Sequence, residues 1–294
     1  MPIDLSPPEI LERVIPLKSL AFQAGVIAGP IAAGFAAVAA DELPYLMAMV
    51  LLALAAMALA FVPKPPIEQL ETAPGPAQAF RDAVEGIAYI RRNPILRGAI
   101  SLDLFAVLLG GATALLPAIA SERLGVGEVG LGWLRAADGI GAALVSLALT
   151  YRPIRRRLGR ALLSTVAVFG VAVIFLGLTT SYAVAFAAIL VLSGADAISV
   201  YVRSSLVPVV TPEVMRGRVI AVENVFIGGS NELGALESGV AAQALGLVPA
   251  IVTGGIGTLL VVALWWRFFP ELRDVDRFDD VRIDKLAPQP GAEL

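Results

Sequence analysis

The 294-residue sequence contains no cysteine and no histidine. Their absence excludes disulfide bonds, thiolate chemistry, imidazole metal ligands and catalysis by Ser-His or Cys-His pairs. Charged residues are also scarce, at 16% against roughly 25% in ordinary globular domains. No phosphate-cradling loop ending in Lys-Ser or Lys-Thr occurs, so ATP is not the energy source on this polypeptide. The N-terminus lacks the basic segment and short apolar core of a cleavable signal peptide.

Apolar residues dominate the chain, at 57% of the sequence with a mean hydropathy of +0.81. They form continuous runs close to or above the roughly 20 residues with which a helix crosses a bilayer. Because the runs do not alternate apolar with polar residues, they are not barrel strands. The sequence therefore predicts an all-α transmembrane protein with about eight spans. The runs cover residues 14–38, 43–62, 98–120, 129–151, 161–179, 182–207, 219–245 and 247–268.

Basic residues are concentrated in alternate connections between the runs, while the remaining connections hold only Arg123. Positive charge marks the cytoplasmic side of membrane proteins. We therefore expect these loops and both termini to be cytoplasmic. The basic set comprises Lys64, Arg81, Arg91, Arg92, Arg97, Arg152, Arg155, Arg156, Arg157, Arg160, Arg216 and Arg218.

The connection at 63–97 is the longest and divides the chain. It begins with KPPIEQLETAPGP, which is typical of an extended linker, and continues with FRDAVEGIAYIRRN, which predicts an interfacial helix. The predicted organisation is a two-span piece at 1–62, the cytoplasmic linker at 63–97, a six-span piece at 98–268 and a cytoplasmic tail at 269–294.

An internal repeat relates the first two spans to the last two. Its register is the 205 residues that separate Ser6 from Thr211, and it holds without a gap. Both copies run in the same direction, as in a parallel repeat whose axis lies along the membrane normal. The register pairs Ser6-Pro7 with Thr211-Pro212, Arg13-Val14-Ile15 with Arg218-Val219-Ile220, Gly29 with Gly234, Gly34 with Gly239, Pro44 with Pro249 and Pro65 with Pro270.

Four stretches carry a resemblance to a known family: AISLDLFAVLLGGATALLPAIA at 99–120, GLGWLRAADGIGAAL at 130–144, RRRLGR at 155–160 and TPEVMRGRVIAVENVFIGGSNELGALESG at 211–239. With these motifs the chain resembles a major facilitator superfamily transporter of the enterobactin-exporter-like group, which exports drugs and siderophores. The resemblance covers residues 5–273. It implies a major facilitator-type helical bundle that is incomplete, with helices five to twelve of twelve. In that family an Asp usually precedes the first Arg of the basic signature, whereas this chain has Arg155 there.

The resemblance implies a secondary active transporter that works by alternating access and exports a small amphipathic molecule against proton influx. The expected location is the bacterial plasma (inner) membrane, with the bilayer, the substrate and protons as partners and no nucleic acid. We expect no enzyme activity, no cofactor and no metal site, and a monomer if the chain is complete. Two alternatives stay open: a non-transporting assembly or regulatory partner, and the permease subunit of a multi-chain transporter. The missing helices have three explanations: a misplaced start or truncated gene, assembly with another chain, or a domain that has lost transport.

Polar residues inside the spans are the candidates for substrate and proton contacts, because such groups are expensive in a bilayer. Asp196 is too deep to reach the surface, so it is either protonated or neutralised by another helix. Arg203 lies two turns away, at about 10.5 Å of rise, which is too far for a direct pair. Arg135 and Asp138 are three residues apart, a spacing that suits a pair along their own helix; alternatively, Arg135 enters the cavity.

The span 219–245 has one polar face, on which Glu223, Asn231 and Glu237 lie with two serines and Gly234, while Glu232 points away. The face predicts either a water-filled cavity, where a carboxylate carries a proton, or a tight helix interface. The substrate and proton candidates are therefore Asp196, Glu237, Asn231, Arg135, Arg203, Asp138 and Glu232.

Gating candidates lie near the predicted cytoplasmic ends of the spans. Asp103 is about one turn inside its span and is expected to bond to the basic loops. Arg216 and Arg218 flank Gly217 before a helix on the same side, so a latch between them and Asp103 is one hypothesis; the other is that they only set topology. Glu223 is shallow enough for its carboxylate to snorkel.

Overall fold

The computed structural model of the protein describes residues 8–61 and 75–281. Residues 1–7, the linker residues 62–74 with Lys64, and residues 282–294 of the predicted tail lie outside the described residues. Throughout the described part the chain is helical, as the all-α prediction requires. The helices are α1 (Pro8–Ala39), α2 (Leu43–Ala60), α3 (Pro76–Arg92), α4 (Pro94–Leu109), α5 (Leu116–Ala118), α6 (Glu128–Tyr151), α7 (Leu158–Leu178), α8 (Tyr182–Val209), α9 (Glu213–Leu245), α10 (Leu247–Phe268) and α11 (Pro270–Arg273).

Seven segments of the described chain are long and apolar enough to cross a membrane, which confirms a multi-pass membrane protein. They are Leu20–Ala39, Leu43–Ala60, Pro94–Arg123, Glu128–Tyr151, Leu158–Leu178, Tyr182–Val209 and Leu247–Phe268. The eighth predicted span coincides with α9, which has 33 residues. Its composition is too polar to place it with the other seven. The polar residues of α9 include several of the candidate site residues.

Helix α4 begins earlier than predicted and ends where a glycine pair interrupts it. Asn93 caps the helix, because its Oδ1 accepts hydrogen bonds from the amides of Ile95 at 3.0 Å and Leu96 at 3.2 Å, and Pro94 takes the first helical position. After Leu109 the chain passes through Gly110 and Gly111 into a 3₁₀ turn at Ala112–Leu115, α5 and a π turn at Ile119–Arg123. The predicted continuous run at 98–120 is therefore one span with a break near its middle.

The repeat agrees with the helix bounds. The ends of α1 and α9, residues 39 and 245, are 206 residues apart. The helices that follow, α2 and α10, start 204 residues apart at residues 43 and 247. Both offsets lie within one residue of the sequence register.

Small residues bring α9 against α4. A Cβ on Gly111 would lie 2.7 Å from the Gly234 carbonyl oxygen, and a Cβ on Gly234 would lie 2.8 Å from the Val107 carbonyl oxygen. Side chains at either position would separate the two backbones. This contact places the polar part of α9 beside the C-terminal end of α4.

A second glycine contact joins α1 to α6. A Cβ on Gly132 would lie 2.5 Å from the Pro30 carbonyl oxygen, and one on Gly34 would lie 2.6 Å from the Glu128 carbonyl oxygen. Beyond it, α2 packs against α1, and none of its residues is buried. The remaining large helices form a bundle in which α8 packs between α6 and α7, and α10 packs against α7, α4 and α9.

The first part of the predicted tail is packed against the bundle. Leu272 and Val275 join the core cluster that contains Leu96, Leu158 and Leu162. The Gly159 amide donates to the Val275 carbonyl oxygen at 3.1 Å. Residues 270–281 thus cover the end of the bundle where the loop arginines gather. We call this end, with Arg91, Arg92, Arg97, Arg152, Arg155, Arg156, Arg157, Arg160, Arg216 and Arg218, the basic end.

The α1–α6 contact predicts a specific sensitivity to added volume. Gly132→Ala is expected to lower stability by about 1–3 kcal/mol, because the new methyl group meets the α1 backbone. Gly29→Ala is the control, since a Cβ there meets no atom within 4 Å. The measurement is thermal unfolding of the purified chain in detergent. Equal midpoints for the two variants would contradict the contact.

Candidate functional site

A stripe of polar side chains runs along α8. Ser193, Asp196, Ser199 and Arg203 are spaced by three, three and four residues, so they follow one face of the helix. All four are at least partly buried in the bundle. This stripe is the part of the structure around which the other polar groups assemble.

Arg203 is the buried cation of the site, and two carboxylates from other helices surround it. Its Nη2 lies 2.8 Å from Oδ1 of Asp103 on α4, and its Nη1 lies 3.5 Å from Oε1 of Glu223 on α9. The side chains of Arg203, Asp103 and Glu223 are only 4%, 7% and 10% exposed. Charges buried this deeply are tolerated when they are paired. The three residues form a buried charge triad of one guanidinium group and two carboxyl groups.

A cavity of about 380 Å³ opens beside the triad, between α4, α8 and α9. Its wall includes all three triad residues, together with Asp196, Asn224 and Asn231. The volume lies within the range of about 300–1,000 Å³ that is usual for small-molecule sites. The cavity combines apolar walls with a few convergent polar groups, an arrangement that suits a small amphipathic molecule.

A second cavity, of about 220 Å³, adjoins the first farther from the basic end. Asp138 of α6 lines it, as do Gly110 and Gly111 at the break of α4. Asp196 and Asn231 line both cavities, so they lie where the two meet. Asp196 forms no ion pair with any described residue. A largely buried carboxylate without an ion pair is costly, which makes Asp196 a candidate for binding a proton or a ligand.

Six of the predicted site residues come together in this region: Asp103, Asp138, Asp196, Arg203, Glu223 and Asn231. Glu232 and Glu237 do not, because both are exposed on α9 and line neither cavity. The predicted polar face of α9 is divided between two roles. Gly234 and Ser238 form the tight interface with the end of α4 and Gly111, whereas Glu223 and Asn231 reach the cavities. The functional roles of these residues stay predictions.

Arg135 lies apart from the other candidates. The expected pair with Asp138 does not form, since the two residues line different cavities. Arg135 is exposed and lines a cavity of about 450 Å³ between α1 and α6, with Asp41, Tyr45 and Glu128. Arg135 therefore lies on the side of α6 that faces α1, away from the cavities lined by the charge triad and Asp138.

The predicted latch between Asp103 and the two arginines Arg216 and Arg218 does not form in the structure. Asp103 bonds to Arg203 rather than to the basic loops, and Arg218 pairs with α3, through Asp82 at 3.1 Å and through Glu85. Arg216 donates to the carbonyl oxygen of Pro208 at 3.4 Å. Arg216 and Arg218 therefore tie α9 to α8 and α3 at the basic end.

Snorkelling of Glu223 is also wrong. The residue is only 8% exposed, because its carboxylate turns inward to Arg203. Although Glu223 is near an end of α9, α3 and α8 cover that part of the bundle. Burial makes Glu223 part of the triad instead of a surface group.

The loop between α6 and α7 has Arg155 where the family resemblance implies an Asp. A carboxylate from the C-terminal segment, Asp276, pairs with this loop. Asp276 accepts a hydrogen bond from the Arg157 amide at 3.0 Å and pairs with Nε of Arg156 at 3.3 Å. Arg157 has a φ of +56°, a left-handed conformation that turns its amide toward this carboxylate. The Arg157 hydrogen bond, followed by the Arg156 charge, lowers the pKa of Asp276. The loop and residues 270–281 thus form one unit at the basic end.

Sequence reasoning missed the charge triad. Asp103 and Glu223 are nine and ten residues from the starts of their helices, and Arg203 is six residues from the end of α8. These three helix ends all lie at the basic end, so the similar depth of the three charges was the signal that could have revealed the triad. Ser199 lies on the same face of α8 as Asp196 and Arg203, but serine is common in membrane helices, so its position alone does not mark it as functional.

Neither a metal nor a cofactor is suggested by the side chains. In the part of the chain that the structure describes, no group of three or more ligand-type residues is placed to hold a metal ion. The polar side chains that line the cavities are carboxyl groups, amides, hydroxyls and one guanidinium group. These groups can bind, exchange protons and change ion-pair partners.

A family model described as the Major Facilitator Superfamily matches residues 1–230, which is most of the chain. No curated protein and no solved structure gives a significant match. The family match agrees with the superfamily-level resemblance seen in the sequence, while the enterobactin-exporter-like subgroup stays a prediction.

The charge triad predicts an order of stabilities. Arg203→Met is expected to cost about 3–5 kcal/mol, since it leaves two buried carboxylates without a cation. Adding Asp103→Asn and Glu223→Gln removes both charges and should recover most of that loss. Unfolding of the purified variants in nanodiscs measures the order, with Arg135→Met as an exposed control. A single variant that is as stable as the triple variant would contradict the pairing.

Proposed function

The chain belongs to the major facilitator superfamily, whose members are secondary transporters, and we propose that it is a proton-coupled exporter working by alternating access. The proposed substrates are small amphipathic molecules of the drug or siderophore type. The proposal rests on one observation above the others: Asp196 has no ion-pair partner among the described residues and lies where two cavities meet.

Asp196 is the residue at which proton and substrate compete in this proposal. When it is ionised, it attracts a polar or cationic group of the substrate into the cavity of about 380 Å³. When it is protonated, that attraction is lost and the substrate leaves. Because both partners neutralise the same carboxylate, binding of one disfavours the other, which couples their opposite movements.

The surroundings of Asp196 make the cavity acidic. Arg203 is balanced by Asp103 and Glu223, and Asp138 adds a further carboxylate on the second cavity. A cavity lined by more acidic than basic groups favours the binding of protons over the binding of anions. Arg203 is the positive charge that lies beside Asp103 and Glu223. Because it pairs with both of them, it keeps one ion pair when the other carboxylate is neutralised.

Alternating access requires parts that move as units. The repeat assigns α1 and α2 to one half and the helices from α4 onward to the other, so the glycine contact between α1 and α6 lies between the proposed halves. Close backbone packing permits sliding there with few side chains to rearrange. The cavity beside this contact, with Arg135, lies on the path that such a movement would open or close.

The proposed location is the bacterial inner membrane, with the basic end and both termini in the cytoplasm. The exposed apolar faces of α2 and α10 are then in contact with lipid. Protons, lipid and a small substrate are the proposed partners, nucleic acid is not one, and the chain acts as a monomer if it is complete.

Asp196→Asn tests the proposed exchange. The amide keeps the shape but cannot carry a proton, so efflux of ethidium driven by a proton gradient across proteoliposomes should be abolished. Glu232→Gln is the matched control, because Glu232 is an exposed carboxylate that lines neither cavity.

Three results would overturn the proposal. Efflux that persists in the Asp196→Asn variant would remove Asp196 from the coupling. Efflux that survives an uncoupler and depends on ATP would indicate a permease subunit driven by a separate ATPase. A chain that moves no ethidium under any gradient would support the non-transporting alternative.

A further inference from the structure

Ser199 differs from other hydroxyl residues inside the bundle. The hydroxyl groups of Thr165, Thr258 and Ser230 donate to backbone carbonyls three or four residues earlier. Ser199 is only 3% exposed, and its Oγ has no hydrogen-bond partner in the described residues. A buried hydroxyl without a partner is rare and costs about 1–3 kcal/mol. The position therefore points to a partner from outside the polypeptide.

The space next to Ser199 is about large enough for one water molecule. A cavity of about 10 Å³ lies between α4, α7 and α8, which is close to the lower limit for holding one water molecule. Its polar lining consists of Asp103, Asp196, Ser199 and Thr165, and the Thr165 hydroxyl is already bonded within α7. A buried water needs two to four polar partners, and the other three groups supply them. A larger ligand does not fit, so the space selects water.

Both carboxylates also reach the larger cavity. Asp103 and Asp196 line the space of about 380 Å³ as well as the small one, whereas Ser199 lines only the small one. A water in the small cavity would thus connect a carboxylate that has no ion pair to one that belongs to the charge triad. The other ionisable groups that face this pair are Arg203 on α8, Glu223 on α9 and Asp138 on α6.

We propose that Ser199 positions one water molecule that passes a proton between Asp196 and Asp103. The inference rests on the proton coupling of the proposed function. In the step, the Asp196 acid gives its proton to the water oxygen while the water gives one of its own protons to an Asp103 oxygen. Asp196 becomes a carboxylate, Asp103 becomes a neutral acid, and the water is regenerated, so atoms and charge balance.

The transfer changes the ion pairs of Arg203. Its contact with Asp103 at 2.8 Å weakens when that carboxylate becomes neutral, and the contact with Glu223 at 3.5 Å remains. Protonation at the cavity thereby changes the ion pairs that join α4, α8 and α9. Ser199 is a positioning residue in this scheme, because it acts through the water and not on the substrate.

Infrared spectroscopy of the full chain in lipid nanodiscs tests the water directly. The expected signal is a water O–H band that shifts in H₂¹⁸O and changes when the carboxyl band assigned by Asp196→Asn titrates. Ser199→Ala should lose the band, and Ser199→Thr should keep it. Ser164→Ala is the control, since its exposed hydroxyl bonds to the Ala161 carbonyl outside the small cavity. A Ser199→Ala variant that retains the band would overturn the proposal.

Ethidium transport separates failure of the relay from failure of the proposed function. Ser199→Ala should slow gradient-driven efflux by roughly tenfold, the effect of one lost hydrogen bond, and leave ethidium counterflow unchanged. Efflux at the wild-type rate in this variant, together with its loss in Asp196→Asn, would reject only the relay. Full efflux in Asp196→Asn would reject the proton coupling itself, whatever the water band shows.

Discussion

The cost of burying Arg203 is the constraint on which the site depends. A guanidinium group that is 4% exposed needs anionic partners, and it finds them on two other helices. The ion pairs therefore fix the relative positions of α4, α8 and α9 at one depth of the bundle. Since these helices also form the wall of the main cavity, the same interactions hold the fold and shape the binding space. The excess of carboxyl groups over the one guanidinium group gives that space its acidic character.

Glycines make this arrangement possible. Carboxylates on α4 and α9 can both reach α8 only if the three helices approach closely, and Gly111 and Gly234 remove the side chains that would prevent it. The break after Leu109 belongs to the same region, because it lets the end of α4 bend around α9. The contact of Gly34 with Gly132 then brings α1 against α6 in a similar way. Two glycine contacts thus hold the bundle together on either side of the cavities.

Hydropathy and glycine–proline patterns were enough to predict the helices and the repeat, because both depend on local sequence. Partners across helices were harder, since they depend on rotation and depth. Asp103 was assigned to the loops and Glu223 to the surface, although both bond to Arg203. Arg135 and Asp138 have the spacing of a pair, but Arg135 lines the cavity beside α1 and Asp138 lines the cavity beside the break of α4. For Asp196 the sequence left two alternatives open, a cation from another helix or a bound proton, and no described residue forms an ion pair with it.

Proton release on ligand binding tests the central claim most directly. If substrate and proton compete for Asp196, adding ethidium to the purified chain in unbuffered solution should release up to about one proton per bound ligand, as linkage requires. The release should disappear in Asp196→Asn while remaining in Glu232→Gln. Equal proton release from the wild type and Asp196→Asn, or binding of ethidium to the wild type without any release, would contradict the account.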